Sequence, residues 1–115
     1  MTIKECYQEI GGDYEDALSR FQTDERIKKF LLKFVQDQTF YTLCVAIDEK
    51  NIDEAFRASH TLKGIAQNLA FTKLYQFSST FTEVLRNYQG EDINEAFQGL
   101  MNNYILIIKT IKEMV

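Results

Sequence analysis

Apolar positions recur every three or four residues along almost the whole chain, the spacing that places them on one side of an α-helix. Residues 2–10 read as a short helix stopped at Gly11-Gly12, where glycine accepts the left-handed turn. Asp13 can cap a second short helix that carries Ala17, Leu18 and Phe21 on one side. From Thr23 or Asp24, the series Ile27, Phe30, Leu31, Phe34, Val35, Tyr41, Cys44, Ala46 and Ile47 predicts one long helix to about Glu49. Its pattern is broken once, by the polar run Gln36-Asp37-Gln38. Asn51, with Glu54 three residues on, has the spacing of a capping box and opens a helix through His60 to about Ala70. Phe71-Thr72 forms a corner, with Thr72 as the next N-cap. Leu74, Phe77, Phe81, Val84, Leu85 and Tyr88 then make a stripe that ends at Gly90. Asp92 with Glu95 caps a last helix, whose broad apolar face runs from Ile93 and Phe97 to Ile111.

The expected fold is all-α: an antiparallel four-helix bundle with one or two short N-terminal helices packed on it, as a single domain over residues 1–115. The absence of proline agrees with this, and an apolar fraction of 45% supports a packed core. A net charge of -4 argues against a nucleic-acid partner. No apolar run approaches the ~18 residues of a membrane span. The charges at Lys4, Glu5 and Glu9 do not suit a signal peptide, and Cys6 and Cys44 have no metal or redox spacing. A cytoplasmic location is expected, and the Met1 start favours a free-standing protein.

The candidate chemistry centres on the one histidine, His60. At about 100° per residue, Ala55, Ala66 and Leu69 cluster around Leu62 on the inner face of its helix, flanked by Ala58 and Ile65. His60 lies almost opposite, in an outer half shared with Arg57, Lys63, Gly64 and Gln67. Phe56 sits at the margin, as an apolar docking contact beside the ring. A ring nucleophile, a mobile cation and a missing side chain at offsets of zero, three and four suit phosphoryl chemistry. Gly64 is mid-helix, where glycine costs roughly 0.5–1 kcal/mol against alanine, so its presence needs a reason.

The run Phe56-Arg57-Ala58-Ser59-His60-Thr61-Leu62-Lys63-Gly64 resembles the signature of histidine-containing phosphotransfer (HPt) domains, in which His-x-Leu-Lys-Gly is followed by small residues. The resemblance implies that His60 accepts a phosphoryl group from a receiver-domain aspartate and passes it on. It implies that Lys63 holds the phosphoryl oxygens and that Gly64 makes room for the receiver. Response-regulator receiver domains are the implied partners, together with a hybrid histidine kinase. Magnesium would belong to the receiver, so no cofactor or metal is expected on this chain. Two departures stand out. Ala70 replaces the glycine common at the corner, so the turn must differ or carry strain. Many members also place Gln or Glu on the following helix to bond the inner ring nitrogen; here the spacing offers only Ser79 and Thr82, with Tyr75 and Arg86 bordering the docking surface.

Nothing resembles a nucleotide-binding loop, so a phosphocarrier without kinase activity is expected. It is expected to be a monomer, with no nucleic acid or membrane as partner. The rival is a non-catalytic HPt-like adaptor that binds receiver or kinase domains without transfer. A third reading is a structural bundle that associates through Ile105, Ile107 and Ile108.

Overall fold

A computed structural model describes residues 1–115 as seven helices and no strand. They are α1 (Ile3–Ile10), α2 (Tyr14–Phe21), α3 (Asp24–Gln36), α4 (Thr39–Asp48), α5 (Ile52–Asn68), α6 (Thr72–Arg86) and α7 (Asn94–Met114). The bundle is built on α5 packed between α4 and α6, with α7 against α6 and α1 laid on α7. At 1.5 Å per residue α7 is about 31 Å long, most of the 44 Å length of the molecule. One buried apolar cluster takes residues from all seven helices, among them Tyr7, Ala17, Leu31, Leu43, Leu62, Phe81 and Ile107.

The long helix expected over residues 24–49 is two helices. Asp37 leaves helical geometry with φ -69° and ψ 138°, and its Oδ1 accepts from the Thr39 amide at 2.8 Å. A short carboxylate that bonds nearby backbone gives the chain an alternative to continuing the helix, and here it starts α4. Phe40, just beyond the break, stacks on Tyr104 of α7 with ring centroids 3.9 Å apart.

Several ends differ from expectation. Thr72 is the first residue inside α6 rather than its cap, and α6 has no side-chain cap. The α6 helix stops at Arg86, before Gly90, and α7 starts at Asn94. Asp92 still accepts from the Asn94 amide at 2.9 Å. Asn51 caps α5 through the Glu54 amide at 3.2 Å, while the Glu54 carboxylate turns to Arg57 instead of closing a box.

The corner between α5 and α6 positions the site. Ala70 adopts the left-handed conformation, φ +58°, in which an L-residue is strained by roughly 1–2 kcal/mol. The N-terminal segment holds this corner in place. The buried Tyr7 hydroxyl donates to the Leu69 carbonyl at 2.9 Å, the Asp13 amide to the Ala70 carbonyl at 2.9 Å, and the Lys73 amide to the Gly11 carbonyl at 3.0 Å. Gly12 must be glycine: a Cβ there would lie 2.6 Å from the Tyr7 ring.

Candidate functional site

α5 forms because its inner stripe is small and apolar. Ala55, Ala58, Leu62 and Ala66 are all buried, and so is Ser59, which the apolar pattern does not mark. This stripe fixes the rotation of the helix and turns His60 outward, where it is exposed. Arg57 and Gln67 are exposed beside it, and Lys63, Gly64 and Phe56 are half-buried.

The Phe56 ring lies nearly parallel to the imidazole of His60, with centroids 6.2 Å apart and planes 12° from parallel. The Arg86 guanidinium of α6 sits over Phe56 at 4.9 Å, and Lys63 Nζ lies 5.8 Å from the Tyr75 ring centre. The residues named from sequence at the two flanks, Tyr75 and Arg86, therefore meet α5 on this side. Arg57 is paired with Glu54 at 2.6 Å and Arg86 with Glu83 at 3.2 Å, so Lys63 is the cation of this face with no carboxylate partner. An unpaired ammonium on a mobile stem suits an incoming anion better than one already neutralised.

Gly64 has a clear environment. A Cβ built on it would meet nothing within 4 Å. Gly99 is the contrast: a Cβ there would lie 2.7 Å from the Phe77 ring, so that glycine serves the α6–α7 packing. The gap at Gly64 is not used by any other part of the chain.

The two hydroxyls expected beside the imidazole are placed otherwise. Thr82 is fully buried between α5 and α6. Its Oγ1 donates to the Ser78 carbonyl at 2.6 Å and lies 2.7 Å from the Ser59 hydroxyl. Because Thr82 spends its one proton on that carbonyl, Ser59 is the donor between them. Ser78 in turn donates to the Leu74 carbonyl at 2.6 Å. Thr82 is thus fully engaged in a buried hydroxyl ladder. Ser79 is half-buried and lines a separate groove with Thr80, Glu83, Asn87, Glu91 and Asp92. Neither hydroxyl bonds His60, whose ring makes no hydrogen bond to another residue. A hydroxyl one carbon from the helix is too short both to satisfy the interface and to reach outward.

Of the surface isoleucines, Ile107 is fully buried and belongs to the core, so it cannot serve an external contact. Ile105 is exposed and Ile108 half-buried, on a shallow surface with Tyr104, Lys109 and Lys112.

His60 thus lies outward on a packed helical bundle, with an unpaired lysine and an open glycine on the next turn of α5. The Hpt domain family model matches residues 30–115, well over half of the chain, and the chain belongs to that family. Hpt domains are phosphocarriers of two-component signalling rather than kinases. No curated protein and no solved structure matches the chain. No helix is long and apolar enough to cross a membrane. The family match leaves α1, α2 and the start of α3 outside it.

Proposed function

We propose that this chain is a histidine phosphotransfer protein that receives a phosphoryl group on His60 from a receiver-domain aspartate and returns it to the same or another receiver. The observation that carries the reading is Gly64. It sits inside a continuous helix at an energetic cost, one turn from His60, and no part of the chain itself occupies the space. A partner that must bring a phosphorylated aspartate up to the ring would use that space.

In the transfer, the lone pair of His60 Nε2 attacks phosphorus, the bond from phosphorus to the aspartyl oxygen breaks, and the aspartate leaves as a carboxylate. The ring must carry its proton on Nδ1 to leave Nε2 free. Lys63 approaches the phosphoryl oxygens as a point charge. The receiver brings its own magnesium, and this chain supplies a positioned nucleophile and no nucleotide site. Receiver domains of response regulators, free or attached to a hybrid histidine kinase, are the partners. The protein works as a cytoplasmic monomer, with Arg57, Gln67, Tyr75 and Arg86 at the rim of the contact.

One observation favours a second reading, an adaptor that docks without transfer: His60 lacks the hydrogen-bond partner that would fix its tautomer. The two readings separate in one experiment. A panel of receiver domains, each loaded with labelled acetyl phosphate, is mixed with the protein. Acid-labile, alkali-stable label that is absent from His60→Gln supports the carrier. Tight binding to a receiver with no label transferred supports the adaptor.

A further inference from the structure

We infer that Phe56 is the positioning residue for the His60 ring, restraining it by stacking where a hydrogen bond is absent. The inference rests on the carrier reading, because it concerns the ring that takes the phosphoryl group.

An exposed histidine on a helix can occupy several staggered rotamers, and each sends Nε2 in a different direction. Transfer needs one of them, with the nitrogen in line behind the breaking bond. A carboxamide or carboxylate on α6 could select that rotamer by bonding the inner nitrogen. Here the α6 hydroxyl of Thr82 is buried and committed to Ser59 and Ser78.

Phe56 supplies a restraint of another kind. Its ring lies one turn before His60, nearly parallel at 12° and 6.2 Å, inside the range where aromatic rings attract. Phe56 is itself held. It packs against the hydrophobic core, and the Arg86 guanidinium lies over its face at 4.9 Å, anchored by Glu83 at 3.2 Å. A line of contacts therefore runs from α6, through Arg86 and Phe56, to the imidazole. An offset stack of this kind restrains rotation without occupying either ring nitrogen. Nε2 stays free to attack and Nδ1 stays free to exchange its proton with water.

This role differs from that of an apolar docking contact, and the two separate in one experiment. The chain has a single histidine, so its ring signals in a proton–carbon NMR spectrum need no assignment. The variants are Phe56→Leu, which keeps an apolar side chain, and Phe56→Tyr, which keeps the ring; a thermal melt verifies that both are folded. In Phe56→Leu the ring-current displacement of the His60 signals should vanish. The transfer rate at saturating phosphorylated receiver should fall about tenfold, with receiver affinity changed by less than about twofold. Phe56→Tyr should restore both the signals and the rate. A Phe56→Leu variant with the wild-type rate at saturation and weakened affinity would make Phe56 a docking contact and overturn the inference. Unaltered His60 signals in that variant would overturn it as well. If the wild-type protein takes no label from any receiver in the panel, the carrier reading fails first. The NMR arm then still reports whether the stack exists, which separates the two failures.

Discussion

Replacing Gly64 by alanine should raise stability and lower function together. Gly64 lies inside α5, with Ile52 and Asn68 as the ends of the helix. An added Cβ meets no atom within 4 Å, so no clash offsets the gain in helix propensity. That gain is roughly 0.5–1 kcal/mol. For a domain of this size it corresponds to an increase of about 2–4 °C in Tm. Far-UV circular dichroism melts, with urea titrations for free energies, measure it directly. Gly64→Gln should keep most of the same gain, since glutamine is a good helix former. Its longer side chain fills the approach to His60, so labelled transfer from a receiver should drop sharply in that variant. The Gly99 position is the control. There a Cβ would strike Phe77, and Gly99→Ala should destabilise the fold. A less stable Gly64→Ala would mean that the glycine serves the chain's own packing. A Gly64→Gln protein that is stabilised and still transfers at the wild-type rate would refute close approach at this turn.

Three other outcomes test the physical account. In a double-mutant cycle, Ser59→Ala and Thr82→Val should each cost about 1–2 kcal/mol but couple by about 1 kcal/mol, because they share the bond at 2.7 Å; additive denaturation energies would contradict the hydroxyl ladder. Lys50 and Ala70 are both left-handed, at φ +57° and +58°. Exposed Lys50→Gly should gain about 0.5–1 kcal/mol, whereas Ala70→Gly also loses a buried methyl and should fall near zero in the same urea assay; equal gains would contradict the burial of Ala70. Burial pushes the Cys6 thiol up from 9.0 to about 11, with Glu9 adding to it, and also pushes the Tyr7 hydroxyl up. Both groups are neutral when folded. The stability linked to the thiol is full below pH 9 and is lost as pH rises towards 11, on the order of 2 kcal/mol, and that linked to Tyr7 begins to be lost only above pH 10. Unfolding midpoints should fall across that window, less steeply in Cys6→Val, and an equal slope in that variant would discount the thiol.

The inner stripe of α5 was legible because alanine and leucine at helical spacing can face only a core. That stripe also placed His60, Lys63 and Gly64 on the outside. The break before α4 was half-legible. Gln36-Asp37-Gln38 interrupts the pattern, but only the Asp37 bond to Thr39 turns an interruption into an end. Thr82 was misplaced for a physical reason: hydroxyls read as polar on a wheel, yet they enter a helix interface readily when the preceding turn's carbonyl accepts the proton. The partner that completes this arrangement, Ser59, lies 23 residues away and has no local signal. The same holds for Tyr7, whose hydroxyl finds a carbonyl 62 residues along the chain.

That last bond bears on where this module can be cut. A fragment trimmed to residues 30–115 would begin partway through α3, which spans Asp24–Gln36. It would strip α1 from α7, uncover Phe71 and leave the Leu69 and Ala70 carbonyls unbonded at the corner that carries the end of α5. The stretch that matches the family model is therefore shorter than the stretch that bonds the corner. Grafted onto another protein, the histidine face would have to travel with the first helix as well as the last.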